Sequence, residues 1–114
     1  MNKILILGTG KFALAIAHLL EFNVKEITFA GRDKKQLNEL STFNKNSKVY
    51  NHLFNLKIKT VDISNNINFS FFDVVFYCLP TECQKITENI PVNIPIIFTC
   101  KGYYDNFIFK KYSN

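Results

Sequence analysis

The sequence is poor in several residue types that carry chemistry: its 114 residues include no tryptophan, one methionine and three cysteines. Cys78, Cys83 and Cys100 form no CxxC pair, so neither a disulfide framework nor a cysteine-based zinc site is indicated. No apolar run reaches the roughly 18 residues that a membrane-spanning helix needs. The apolar residues 4–8 are too few for the hydrophobic region of a signal peptide, and no small-residue cleavage site follows, so a cytoplasmic location is expected.

Clusters of basic residues are also missing. Arg32 is the only arginine among 14 basic residues, and nine acidic residues leave a net charge of +5. The lysines are scattered, whereas nucleic-acid binding calls for a basic stripe, so the aromatic and basic residues of the segment 103–114 do not predict it. What is present is apolar material: hydrophobic residues make up 47% of the chain, which suffices for one domain core and excludes a disordered chain.

Strands and helices alternate along the chain. The continuous apolar run at residues 3–7 is typical of a strand buried on both faces of a parallel sheet. Further strands are predicted at residues 26–30, 56–63, 73–79 and 96–100. Polar and apolar residues alternate in the segment 56–63, which indicates an edge strand or a half-buried strand. Helices are predicted at residues 11–22, from an Asp33 N-cap with Gln36 three residues on through Leu40, and at residues 81–88. Residues 41–55 are polar and are expected to form a loop.

A glycine-rich motif lies between the first strand and the first helix. Gly8-Thr9-Gly10-Lys11-Phe12-Ala13 matches G-x-G-x-x-G/A. Gly8 permits the tight turn, Gly10 lets the backbone approach a pyrophosphate, and Ala13 allows close packing of helix on strand. The helix N-terminus supplies free N–H groups for the phosphates. The motif therefore predicts dinucleotide binding, the alternative being an ordinary strand–helix turn that happens to contain glycines.

The end of the second strand bears on which dinucleotide is bound. An Asp or Glu there would bind the ribose hydroxyls of NAD, but this chain has Ala30, Gly31 and Arg32. The planar guanidinium of Arg32 suits a phosphate, which favours NADP or tolerance of both cofactors. The alternative is a solvated arginine that pairs with Asp33. Together these patterns predict an α/β, Rossmann-like domain at residues 1–102, with a parallel sheet of about five strands in the order 3-2-1-4-5 and helices on both faces, and a tail of uncertain structure at residues 103–114.

Four segments in the same order carry a family resemblance: residues 2–17, 30–33, 78–81 and 99–102. The chain resembles the N-terminal domain of bacterial NAD(P)-dependent glycerol-3-phosphate dehydrogenase. The resemblance implies that Lys11 and Phe12 contact the cofactor at the helix start and that Arg32 meets its adenosine end. It also implies that Lys101 contacts both cofactor and glycerol phosphate, although a surface lysine before a turn glycine is the alternative. Lys11 and Cys100 depart from the smaller or hydroxyl residues usual in the family.

The same resemblance implies an activity: reversible hydride transfer between NAD(P)H and dihydroxyacetone phosphate, giving sn-glycerol 3-phosphate for phospholipid synthesis. The family's proton-donating lysine belongs to a C-terminal helical domain that these 114 residues do not include. We therefore expect no catalytic residue within the chain and no activity from it alone. Two alternatives stay open. One is a non-catalytic nucleotide-binding or interaction module, working as a homodimer or with a separately encoded C-terminal half, and the other is a different reductase of the same superfamily.

The two histidines complete the candidate residues. His18 lies beside apolar positions in the first predicted helix, and His52 lies in the polar loop. Neither has a serine, cysteine or carboxylate at an informative spacing, so both are expected to be structural or solvated, and no metal site is expected. Cys78, within a predicted buried strand, is expected to act as a small hydrophobic residue.

Overall fold

The computed structural model describes residues 2–46, 49–80 and 86–99. The predicted buried first strand is present, and Ile4 to Leu7 are fully buried because both faces of the sheet are covered. The regular elements are, in chain order, β1 (Lys3–Leu7), α1 (Lys11–Leu20), β2 (Glu26–Gly31), α2 (Lys34–Phe43), β3 (Ile58–Asp62), a 3₁₀ turn (Phe69–Phe71), β4 (Val74–Tyr77) and β5 (Ile96–Phe98).

All five strands are parallel, and the sheet has the order β3-β2-β1-β4-β5. β1 is central, with Leu5 opposite Thr28 of β2 on one side and Val75 of β4 on the other. The predicted strand order is confirmed, and β3 is an edge strand as its alternation indicates. The carboxyl ends of all five strands therefore meet at one edge of the sheet, the place where such sheets bind ligands.

The residues of β1 alternate between two hydrophobic cores. Ile4 and Ile6 pack with the buried face of α1 and with Leu40 of α2. Leu5 and Leu7 pack on the opposite face with Phe69 and other buried residues, among them Ile90 and Ile94. Both α-helices cover the first face, because each returns from one parallel strand to the next in the same direction along the sheet. The described residues on the second face form 3₁₀ turns at Phe69–Phe71 and at residues 86–89; residues 81–85 of the helix predicted there lie outside the described residues.

The elements end at different residues than the pattern predicted. α1 ends at Leu20, two residues before the prediction, where the N–H of Asn23 donates to the Leu20 carbonyl at 2.9 Å. α2 continues to Phe43 and ends at Asn44, whose positive φ of 59° closes the helix with an N–H···O bond to Leu40. The side-chain oxygen of Asn44 also accepts the N–H of Ile58 at 3.0 Å. One asparagine thus ends α2 and positions the start of β3.

Three further observations bear on the sequence predictions. Among the described residues no helix is long and apolar enough to cross a membrane. Cys78 is partly buried and packs against the first core, as expected of a small hydrophobic residue. The predicted tail at residues 103–114, with Cys83, Cys100 and Lys101, lies outside the described residues.

Candidate functional site

Gly8 forms the tight turn between β1 and α1. Its φ is +116°, a conformation that L side chains rarely adopt. A Cβ at this position would lie 2.8 Å from the carbonyl oxygen of Cys78, so the backbone directly after β4 also approaches too closely for any side chain. The N–H of Gly8 donates to the Ala30 carbonyl at 2.7 Å, which fixes the turn between the ends of β1 and β2. Glycine at this position is therefore required by the fold itself.

Gly10 is different, because no residue that the structure describes requires it. It caps α1 with ordinary extended dihedrals, and a Cβ built on it would meet no atom of the described residues within 4 Å. None of the described side chains caps this helix, and its first turn contains no acidic residue. The first N–H groups of a helix lack intrahelical partners and carry partial positive charge, so an anion can bind there. Gly10 leaves open the approach to that helix end.

Of the three residues after Gly10, two are exposed to solvent and one is buried in the core. Lys11 is exposed, and the ring of Phe12 is 59% exposed although it is apolar. Ala13 is buried against the first core, as its place in the motif predicts for close helix–strand packing. An exposed aromatic ring and a lysine therefore stand beside the open end of α1.

A cleft of about 260 Å³ lies where β1, β2, β3 and β4 end. Its shape depends on Thr9, whose hydroxyl donates to Gln36 Oε1 at 2.7 Å and so ties the glycine loop to α2. Gly31 allows this approach, because a Cβ there would lie 2.8 Å from the Thr9 methyl carbon. The cleft is smaller than most ligand pockets, which span roughly 300–1,000 Å³, so it suits one part of a dinucleotide. Its lining residues are Gly8, Thr9, Gly31, Arg32, Asp33, Ile63, Leu79 and Pro80.

Arg32 lies at the exposed rim of this cleft. The neighbouring Asp33 caps α2 instead of pairing with Arg32. Its Oδ1 accepts the N–H groups of Lys35 and Gln36 at 2.9 and 3.3 Å. The predicted N-cap is confirmed. In the part of the chain that the structure describes, no ion pair joins Asp33 to Arg32. Among the described residues the guanidinium therefore has no ion-pair partner, and the alternative of an Arg32–Asp33 pair is not observed.

The structure brings most of the predicted site residues to one edge of the sheet. Gly8 and Arg32 line the cleft, Gly10 to Ala13 form the adjoining helix start, and Lys101 lies outside the described residues. Sequence reasoning did not assign Thr9, Ile63, Leu79 or Pro80 to the site. Each of them follows the carboxyl end of a strand, which is the signal that would have found them.

A second apolar cleft, of about 230 Å³, lies away from the strand ends. Thr28, Val61, Phe71 and Phe72 line it together with Ile67 and two asparagines, and no charged side chain contributes. Among the described residues it therefore offers no charged group for phosphate binding or for proton transfer.

A polar cluster of His18, Glu21 and His52, called here the His–Glu–His cluster, lies at the other end of α1. Glu21 is only 4% exposed, and its Oε2 lies 2.6 Å from His52 Nε2. The N–H and side-chain amide of Asn55 donate to the other oxygen at 2.8 and 3.2 Å. Burial acts to raise the pKa of Glu21, but the hydrogen bonds from Asn55 and His52 outweigh it and hold the pKa below its usual value. The carboxyl group is therefore ionised at neutral pH.

The two imidazole rings of this cluster are stacked, with centroids 3.6 Å apart and planes 18° from parallel. His18 Nδ1 also shares a 2.9 Å hydrogen bond with the Tyr50 hydroxyl. Sequence reasoning missed this cluster. The spacing of His18 and Glu21, three residues apart on one helix, was the available signal, but nothing local predicts that residues 50–55 return to this helix.

The parallel sheet, its strand order, the glycine loop at the start of α1 and the cleft at the strand ends define a dinucleotide-binding domain of the Rossmann type. Comparison with known proteins is more specific. The model of the family described as the NAD-dependent glycerol-3-phosphate dehydrogenase N-terminus matches residues 3–111, and the chain belongs to that family. A nicotinamide dinucleotide is the cofactor that this membership implies.

Curated relatives agree with this assignment, and solved structures agree with the fold. Glycerol-3-phosphate dehydrogenases [NAD(P)+] from Staphylococcus carnosus and Staphylococcus aureus are 28% and 29% identical over 99% of this chain. The crystal structure of glycerol-3-phosphate dehydrogenase from Coxiella burnetii has a TM-score of 0.69 at 17% identity, covering 89% of this chain and 33% of its own. The yeast enzyme from Saccharomyces cerevisiae has a TM-score of 0.73 at 13% identity, covering 98% and 39%. The chain spans 35% of the length of the staphylococcal relatives.

Proposed function

We propose that residues 1–102 bind NAD(P) at the carboxyl ends of the strands and form the cofactor-binding part of a glycerol-3-phosphate dehydrogenase. The observation that carries this proposal is the helix start at Gly10, which has open space and no side-chain cap although Gly8, two residues earlier, is tightly enclosed. A pyrophosphate at the N-terminus of α1 accounts for the open space at Gly10 and for the lack of a side-chain cap there. Lys11 and Phe12 then flank the phosphates, and Ala13 keeps the helix close to the sheet.

The adenosine end of the dinucleotide lies, in this proposal, in the cleft beside Arg32. The residues that end β2 are Ala30 and Gly31 rather than the Asp or Glu that usually binds the ribose hydroxyls of NAD, and Asp33, which also lines the cleft, caps α2. The Arg32 guanidinium at the rim therefore favours the 2′-phosphate of NADP. When bound, the dinucleotide supplies the hydride. The protein's own groups bind and orient it.

Arg32→Ala tests the cofactor preference. We expect it to weaken NADPH binding at least tenfold and NADH binding much less, because only NADPH loses a phosphate contact; tenfold corresponds to about 1.4 kcal/mol. Isothermal titration calorimetry measures both constants. Lys25→Ala, which removes an exposed positive charge outside the cleft lining, is the matched control. Equal losses for the two cofactors would contradict the role of Arg32.

The substrate assignment rests on family membership. We propose dihydroxyacetone phosphate and sn-glycerol 3-phosphate as substrates, with Lys101 contacting both cofactor and substrate phosphate. Since the chain spans about a third of its relatives, we expect a polypeptide of these 114 residues to bind cofactor without oxidising NADPH in the presence of dihydroxyacetone phosphate. Absorbance at the nicotinamide band measures the rate. Turnover by the 114-residue polypeptide would contradict this expectation.

The alternatives that the sequence left open are separated by one further assay. A module that works with a separate C-terminal half should gain dehydrogenase activity when mixed with the corresponding part of the Staphylococcus carnosus relative, and sedimentation would reveal a homodimer. A chain from another reductase of the superfamily should restore no turnover of dihydroxyacetone phosphate in that mixture. The cytoplasmic location stays a prediction from the sequence.

A further inference from the structure

Two imidazoles and a carboxylate converge at the carboxyl end of α1, away from the cofactor cleft. One ring nitrogen of His18, one of His52 and one carboxylate oxygen of Glu21 all lie within 4.8 Å of one another. The side chain of Glu21 is fully buried, whereas that of His52 is 21% exposed. The cluster thus has a buried anionic base and an opening toward solvent.

We propose that the His–Glu–His cluster is a binding site for a divalent transition-metal ion of the zinc type. Two histidines and one glutamate form one of the ligand sets that zinc uses, with a fourth position left to water. Imidazole nitrogens favour zinc and its neighbours over magnesium and calcium, which prefer all-oxygen sites. The proposal concerns a site separate from the cofactor cleft, so it does not depend on the proposed function.

Only one of the two histidines is hydrogen-bonded to Glu21, because His18 bonds the Tyr50 hydroxyl instead. Glu21 already has partners on both oxygens, Asn55 on Oε1 and His52 on Oε2. His18 places a second imidazole beside the Glu21 carboxylate, although both carboxylate oxygens already have hydrogen-bond partners. Glu21 is a buried charged group, and such groups are commonly paired or coordinate metals. A cation shared by the three side chains would also give His18 a role beyond its bond to Tyr50.

The surrounding contacts have the character of a supporting shell. Ligands of metal ions are usually oriented by outer hydrogen bonds, and here Asn55 holds one oxygen of Glu21 while the Tyr50 hydroxyl holds His18. His18 lies in the last turn of α1 and Glu21 directly follows that helix, and a spacing of three residues places both side chains on the same side of the helix end.

Metal binding requires a small rearrangement. With metal–nitrogen distances of about 2.0–2.1 Å, two ligand atoms in a tetrahedral site lie about 3.4 Å apart. The stacked rings must therefore turn so that both nitrogens point at one ion, which the soft ring torsion of histidine permits. The proton shared between His52 Nε2 and Glu21 must move to the other ring nitrogen or to solvent. The bound ion would then join the end of α1 to residues 50–55.

Calorimetry and NMR on tag-free protein of all 114 residues test the proposal. We expect one equivalent of Zn²⁺ to bind, to shift the ring-proton signals of both histidines, which are the only two in the chain, and to raise Tm until a chelator is added. His18→Gln, Glu21→Gln and His52→Gln should each weaken binding at least tenfold. Glu88→Gln, which changes an exposed carboxylate, should leave it unchanged, and Mg²⁺ should not compete.

The three cysteines are the competing ligands, and Co²⁺ distinguishes them. Cobalt bound by the cluster should give an absorption spectrum without thiolate charge-transfer bands. Thiolate bands, no binding, or binding unchanged in all three cluster variants would each overturn the proposal. If a cluster variant does not fold, Tyr50→Phe replaces it: this change keeps all three ligands, removes only the orienting hydroxyl, and should weaken binding about tenfold.

Discussion

At the scale of single residues, the two glycines of the β1–α1 loop are glycine for different reasons. Gly8 has a positive φ and lies against the backbone of Cys78, directly after β4, so the folded chain excludes a side chain there. Gly10 has neither constraint. The motif predicted both positions from the sequence, but only the structure separates the glycine that the fold needs from the one that a ligand needs.

This difference predicts opposite outcomes for two variants. Gly8→Ala should lower the free energy of unfolding by more than the roughly 1–3 kcal/mol that a strained φ alone costs, because a backbone clash is added to the strain. Gly10→Ala should cost less than about 1 kcal/mol but weaken NADPH binding tenfold or more, because its methyl group meets only the bound phosphates. Urea unfolding and calorimetry measure the two effects. A Gly10→Ala protein with unchanged affinity would show that no ligand approaches this backbone.

At the scale of elements, hydrogen bonds from polar side chains join strands and helices that are distant in sequence. Asp33 begins α2, and Asn44 ends it and holds β3. The Asp33 cap was predictable, because capping depends on residues within one turn. The role of Asn44 was not, since its side chain acts on Ile58, 14 residues away.

Asp73 performs a similar task for β1 and β4. Its Oδ2 accepts the N–H of Lys3 at 2.9 Å and that of Asn2 at 3.1 Å. These two hydrogen bonds hold the pKa of Asp73 below its usual value, and the bond from Lys3 has the larger effect. This carboxylate therefore ties the start of the chain to the start of β4 as long as it is ionised.

The lowered pKa of Asp73 predicts a pH dependence of stability. A group with a lower pKa in the folded than in the unfolded state contributes fully above its unfolded-state pKa, about 3.9 for Asp, and the contribution is lost as pH falls through the folded-state pKa. The Tm difference between wild type and Asp73→Ala should thus be largest at neutral pH and shrink below about pH 4. Glu88→Gln controls for the loss of one exposed carboxylate. A difference that is constant with pH would contradict this role.

At the scale of the whole molecule, the sequence predicted the features that repeat a pattern. Apolar runs, turn residues and the glycine loop were enough for five parallel strands, their order and a ligand edge, because parallel sheets with right-handed crossovers allow few arrangements. The His–Glu–His cluster was not predictable, since it depends on where the irregular segment 50–55 packs. The 3₁₀ turn at Phe69–Phe71 was also missed, because a turn of three residues has no hydrophobic periodicity that distinguishes it from a loop.

The central claim is that this chain binds a nicotinamide dinucleotide at the start of α1. Titration of the 114-residue protein with NADPH and with NADH by isothermal titration calorimetry tests it most directly, with circular dichroism to establish that the protein is folded. The account predicts one equivalent of bound dinucleotide, with NADPH tighter than NADH, and a loss of binding in Gly10→Ala. A folded protein that binds neither dinucleotide would contradict it.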